Sequence, residues 1–195
     1  MTPSRDFVFV RHGKTDWNHE RRVQGSLGAS LNGEGIDQSK ALARQLWEAP
    51  LQAVYSSALP RAIETASYVA GPHGVSVQTD ERLNEIHHGD WEGMAEAELP
   101  DQDLYRRWRE DPSSCTLPGG ESLDSVSQRA IEAMREIAAR HAPEEGLVAI
   151  VSHQIVLALL KCYVLDRPVR QLRGLALPVA SYEVLTVGEG FTPRP

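Results

Sequence analysis

The chain has 195 residues, 41% of them apolar and 24% charged, which suits one folded domain that buries an ordinary core without disulfide staples. A formal net charge of −7 argues against a general nucleic-acid binder, and no apolar run approaches the roughly 20 residues that span a bilayer. Cys115 and Cys162 stand in unlike contexts without metal-type spacing, and no secretory-type apolar stretch follows Met1, so the expected setting is cytoplasmic, with free thiols.

Phe7-Val8-Phe9-Val10 is a run of β-favouring apolar residues and predicts a buried parallel strand that empties at Arg11-His12-Gly13 into a tight turn. Asp16 to Gly25 is polar and without period, which reads as a functional loop or a short helical turn. A helix follows, with Asn32 as N-cap and Ile36, Leu42, Ala43, Leu46 and Trp47 at helical spacing, until Pro50 stops it. Ala53 to Ser56 predicts a second strand. Ser56 or Ser57 is the expected cap of the next helix, whose apolar face holds Ala62, Ala66 and Val69 and which ends at Gly71-Pro72. Val75 to Thr79 alternates as a strand, and residues 83–93, rich in glycine and lacking a period, read as a loop.

From Ala95 to Glu110 the pattern predicts helical pieces broken near Pro100, and residues 112–120 connect them onward. Leu123, Val126, Ala130, Met134 and Ile137 mark the clearest amphipathic helix, with Ser122 as its cap. A fourth strand runs to Val151, delivers Ser152-His153 and feeds an apolar helix from Ile155 to Val164. Ser181 to Val187 alternates as an edge strand does. Strands alternating with helices, without an internal repeat, predict an α/β fold with a mainly parallel sheet covered on both faces.

In open α/β sheets the pocket lies beyond the carboxyl ends of the strands. Neighbouring strands would bring Arg11-His12, Ser152-His153 and Arg61, in the first turn of the helix after strand two, to one rim. A neutral imidazole attacks phosphorus competently, and a loose phosphoryl transition state asks mainly for positive charge and in-line geometry. His12 is therefore the candidate nucleophile, with Arg11, Arg61 and His153 supplying charge. Cations beside His12 also disfavour its protonated form. Gly13 is expected to let the backbone approach the phosphate, and Asn18 to donate its amide to a phosphate oxygen. The leaving oxygen needs a proton and water then needs a base. Glu85 and Glu92 compete for that task on equal physical terms.

Arg11-His12-Gly13-Lys14-Thr15-Asp16-Trp17-Asn18 resembles the Arg-His-Gly signature of the histidine phosphatase superfamily, the phosphoglycerate mutase-like group. The resemblance continues through Gln24-Gly25, residues 56–62, Thr65-Ala66, Leu83-Asn84-Glu85, residues 89–93, residues 118–122 and Val151-Ser152-His153, in the family's order. It implies a three-layer α/β/α sandwich over residues 1–195, with 94–120 as a short helical and loop insertion near the site. It further implies His12 as the phosphorylated nucleophile, Glu85 as proton donor, and phosphate contacts from Arg11, Asn18, Gln24, Gly25, Arg61 and His153. Glu92 then falls in a mainly structural Trp-Glu-Gly stretch. No cofactor and no metal are required. Lys14 and Gln154 depart from the family's usual glutamate or glutamine and glycine, which bears on substrate choice: Lys14 either favours a second anionic group or points into water.

These residues point to a phosphomonoesterase acting on a small phosphorylated metabolite as a monomer or homodimer, with no nucleic-acid or membrane partner. A phosphoglycerate mutase is the nearest alternative, but residues 94–116 lack the longer basic and aromatic insertion that would shut out water. A catalytically silent phospho-ligand module would usually have lost one of the pocket residues. Metal catalysis finds no His-x-His or Cys-x-x-Cys spacing, and adjacent His87-His88 do not readily face one ion.

Overall fold

Period-two alternation decides the layers. In the computed structural model, which describes residues 5–188, strand β1 (Arg5–Arg11) sends Phe7 and Phe9 into one core and Val8 and Val10 into the other. Strands β2 (Leu51–Ser56), β3 (Val77–Thr79), β4 (Leu147–Ser152) and β5 (Tyr182–Val187) join it in one sheet of order β3-β2-β4-β1-β5. All neighbours are parallel except β5, which runs antiparallel along β1 as an edge strand. The register sets Arg11 opposite Ser152 and Ser56 opposite Val151, so the exits of β1, β4 and β2 lie side by side.

Helices cover both faces. Helix α1 (Asp16–His19) is a single turn beside the β1 exit, closed by Thr15 and Asn18 in a capping box. Helices α2 (Gly33–Gln45) and α3 (Pro60–Ala70) pack Leu42, Ala62, Ala66 and Val69 against Val8, Val10, Val54 and Val151. Helix α4 (Gln102–Glu110) lies in the 94–120 segment. On the other face α5 (Leu123–Arg140) and α6 (Gln154–Val164) pack Val126, Ala130, Met134, Ile137 and Leu157 against Phe7, Phe9 and Ile150. Helix α6 is apolar on every side; its one charged residue, buried Lys161, is neutralised by Glu183 of β5 at 2.6 Å. This is the expected three-layer sandwich.

Asn32 and Ser122 cap as expected, accepting from the amides of Gly35 at 2.9 Å and Ser125 at 3.1 Å. The serine cap of α3 does not form: the N-cap is Leu59 with Pro60 at the first helical position, because Ser57 is held by groups far along the chain. Strand β3 begins at Val77 rather than Val75, and Trp47 lies past the end of α2, 63% exposed. No described helix is long and apolar enough to cross a membrane.

Candidate active site

His12 and His153 each stand one residue beyond the paired Arg11 and Ser152, and the His12 amide donates to the Ser152 carbonyl at 3.1 Å. Neighbouring parallel strands therefore hold the two rings with centroids 5.1 Å apart. Both are buried. His12 Nδ1 lies 2.7 Å from the Gly13 carbonyl, which can only accept, so Nδ1 carries the proton and Nε2 keeps its lone pair. Burial, then Arg61 and Arg11, push His12 well below the ordinary histidine range.

His153 is fixed by a longer relay. Asn84 Oδ1 accepts from the Ala58 amide at 2.8 Å and from Ser57 Oγ at 2.9 Å, which commits the serine proton. His153 Nε2, 2.7 Å from Ser57 Oγ, must then donate to it. In the neutral ring Nδ1 is left bare, buried and without a protein partner among the described residues. Burial, followed by Arg61, His12 and Arg11, holds this ring too well below its usual range. Without a bound anion the His153 ring is thus held toward its neutral form, and the standing positive charge at the site comes from the guanidinium groups.

Arg11 donates to the Leu177 carbonyl at 2.7 Å, and Arg61 to those of Gly25 and Leu27, both at 2.8 Å. Burial lowers each to about 10, so both remain cations at neutral pH. Gly25, at φ +53°, thus serves by anchoring Arg61, and a Cβ there would collide with Glu92. Gly13 is corrected in a similar way: a Cβ on it would lie 2.6 Å from the Gly35 carbonyl and 2.9 Å from Ser39 Oγ, so it clears space for α2 rather than for an anion. The carboxamide oxygens of Asn18 and Gln24 both accept from Thr15, which leaves their NH₂ groups without a protein partner among the described residues.

Geometry separates the two glutamates. Glu85, 9% exposed, lines the cavity and receives the amides of Ile86 at 3.1 Å and Ile155, in the first turn of α6, at 3.3 Å. Glu92 is spent on Ser26 and on the His88 amide, clamping two loops together. Arg129 of α5 holds the Glu85 loop in place by donating to the carbonyls of Arg82, Asn84 and Glu85 while pairing with Glu121 at 2.9 Å.

The resulting cavity, of about 410 Å³, is lined by Arg11, His12, Asn18, Gln24, Gly25, Arg61 and Glu85. Its lining also includes Trp17, His88, Tyr105, Trp108, Gln154 and Arg173. Sequence patterning offers Ser57 only as a helix cap and His88 only beside His87 as a poor metal ligand, and it gives Asn84 and Arg173 no role of their own; the arginines at 167, 170 and 173, on either side of Pro168, are the one faint signal for the last. Lys14 is not in this wall: its Nζ pairs with Glu34 at 2.9 Å on the surface. No cluster of three or more metal-ligating His, Cys, Asp or Glu side chains occurs among the described residues.

Sequence and fold have counterparts among known proteins. The chain is 34% identical over 184 residues to phosphoserine phosphatase 1 of Hydrogenobacter thermophilus, covering 93% of this chain and 86% of that one. It is 38% identical over 153 residues to phosphoglycerate mutase-like protein 4 of Arabidopsis thaliana, covering 76% of this chain and 66% of the plant protein. The solved structure of a mycobacterial glucosyl-3-phosphoglycerate phosphatase in complex with VO3 superposes with a TM-score of 0.84 at 32% identity, covering 92% and 90% of the two chains. The profile of the histidine phosphatase superfamily, branch 1, matches residues 7–192, and the chain belongs to that superfamily. It is an enzyme, a phosphatase of the histidine type.

Proposed function

We propose that this chain hydrolyses phosphomonoesters of small metabolites through a phosphohistidine on His12. The observation that carries this reading is the pairing of His12 Nδ1 with the Gly13 carbonyl, which leaves Nε2 unprotonated in the field of Arg61 and Arg11. A dianionic phosphoryl group is drawn to Arg11 and Arg61, with hydrogen bonds from the free amides of Asn18 and Gln24. His153 Nδ1 takes up a proton as the anion arrives and donates it in a charged hydrogen bond.

Nε2 of His12 then forms a bond to phosphorus while the ester P–O bond breaks, and protonated Glu85 gives its proton to the departing alkoxide. In the second half the Glu85 carboxylate takes a proton from water. The hydroxide so formed attacks phosphorus, the P–N bond breaks, and inorganic phosphate leaves. The chain works as one domain, its 94–120 segment forming part of the cavity wall through Glu96, Tyr105, Trp108 and Arg109. Hydrolysis is favoured over mutase transfer because this wall is a short segment set around an accessible cavity.

Two relatives are named for phosphoserine and glucosyl-3-phosphoglycerate, which supports a small phosphorylated metabolite as substrate. The test is rapid acid-free quenching after mixing with a ³²P-labelled phosphoester, followed by gel analysis. A labelled protein band stable to base and labile to acid is expected, absent in His12→Ala. Turnover in His12→Ala at the wild-type rate would end the reading.

A further inference from the structure

Five arginines besides Arg11 and Arg61 could bring charge to the cavity or its rim, and most are already answered by carboxylates. Arg21 and Arg109 share Glu96, at 2.9 and 3.5 Å, Arg22 pairs with Glu20 at 3.1 Å, and Arg129 with Glu121. Arg173 is different. It sits in the 3₁₀ segment Val169–Leu175, lines the cavity wall, and has no carboxylate within ion-pair distance among the described residues. Its Nη2 donates to the Trp108 carbonyl at 2.8 Å, which helps orient the guanidinium, while its Nε is buried without a partner among the described residues. Gln154, the first residue of α6 and next to His153, lines the same cavity with a side chain that makes no hydrogen bond among the described residues.

A half-buried guanidinium with no carboxylate in ion-pair contact is costly, and the cost is recovered when a planar anion meets its fork. Nearby Arg11 and Arg109 add to the positive field at this point, with Glu85 the opposing charge. We infer that Arg173, with Gln154 beside it, forms a second anion site that selects phosphoesters whose alcohol part carries a carboxylate. A single fork suits a carboxylate better than a second phosphoryl dianion, which would call for more than one cation. Arg173 is thus a specificity-determining residue and takes no part in bond making. The inference rests on the hydrolysis proposed above.

The test uses substrate pairs that differ in the carboxylate: O-phosphoserine against O-phosphoethanolamine, and 3-phosphoglycerate against glycerol 3-phosphate. For the wild type the acid member of each pair is expected to have kcat/KM higher by about 10- to 100-fold, the range of a charged hydrogen-bonded contact. Arg173→Met is expected to bring the ratio close to one, and Arg173→Lys to restore part of it, with KM moving more than kcat. A wild-type ratio near one in both pairs would overturn the inference even if Arg173→Met fails to fold. Equal losses on both members of a pair would overturn it too, since they would mean that Arg173 acts through Glu85 or the fold. A stronger preference for a bisphosphate such as fructose 1,6-bisphosphate than for either acid would reject the carboxylate. Failure of the wild type to hydrolyse p-nitrophenyl phosphate would instead count against the underlying hydrolytic reading, so the two failures are distinct.

Discussion

Ser57 Oγ lies 2.7 Å from His153 Nε2 with its own proton committed to Asn84, and this holds the second histidine of the site in one tautomer. Ser57→Ala removes the acceptor and leaves a buried ring N–H unsatisfied, a loss of about 1–3 kcal/mol. If the tautomer matters to phosphate capture, kcat/KM drops by about tenfold or more. Ser57→Thr, which keeps the hydroxyl, recovers most of it. Nitrogen NMR of the His153 ring is the decisive readout: an unchanged Nε2–H tautomer in Ser57→Ala would reject the relay.

Glu85→Gln separates proton donation from phosphate capture. A carboxamide keeps the size of the side chain but has no proton to give, so an alkyl phosphate with its poor leaving group loses about 10²–10⁴-fold in kcat. p-Nitrophenyl phosphate, whose leaving oxygen is far less basic, loses much less. Equal losses on both substrates would remove Glu85 from the role of acid.

Stability should fall as the medium becomes mildly acidic. His12 and His153 are held well below the ordinary histidine value of 6.5, and His88 and His141 are lowered as well, in every case chiefly by burial. The unfolded chain therefore binds more protons than the folded one as pH drops below 6.5, and ΔG of unfolding declines with it. Depressed carboxylates such as Asp80 and Glu121 act in the same direction, but only below their unfolded values of 3.8 and 4.5. Thermal melts between pH 7.5 and 5 should show a falling Tm, with a smaller slope in His12→Asn/His153→Asn. A flat profile would contradict the neutral, buried state of these rings.

Lys14→Glu tests a negative. The pair with Glu34 is half exposed, so replacing it with two like charges costs no more than about 1 kcal/mol. Because the Nζ is turned away from the cavity, kcat/KM should be uniform across singly and multiply anionic substrates. A selective change for the multiply charged ones would show that Lys14 reaches substrate.

Gly35→Ala should be far more damaging than its place in a helix suggests. A Cβ on Gly35 would run into the backbone of Lys14, just as one on Gly13 would meet Gly35, so neither can grow without parting α2 from the β1 exit. A fall in Tm of several degrees is expected, from overpacking of about 1–3 kcal/mol. An unshifted melting curve would contradict this contact.

What could be read directly from the residues is what depends on near neighbours. Phe7 to Val10 declare a strand by their side chains alone, and Asn32 and Ser122 cap because their partners lie three residues away. The convergence of Arg11, His12, Arg61 and His153 follows from strand exits combined with the Arg-His-Gly resemblance. Ser57 misleads because the groups that claim its hydroxyl, Asn84 and His153, are 27 and 96 residues distant, and a local reading can offer it nothing better than a helix cap. Gly13 misleads for a related reason, since the atoms that forbid its side chain belong to α2. Arg173 is silent because what sets it apart, the lack of a carboxylate within ion-pair distance among the described residues, shows only in the assembled cavity wall.

The adjacency of β1 and β4 carries one more implication. The two imidazoles face each other only because segments separated by most of the chain align without slippage, and a one-residue offset would rotate one ring to the opposite side of the sheet. Enzyme turnover therefore doubles as a clock for refolding. Recovery of catalysis should lag behind helix formation and coincide with closure of the central strand pair, making a chromogenic phosphate ester a probe of when the chain has found its long-range pairing.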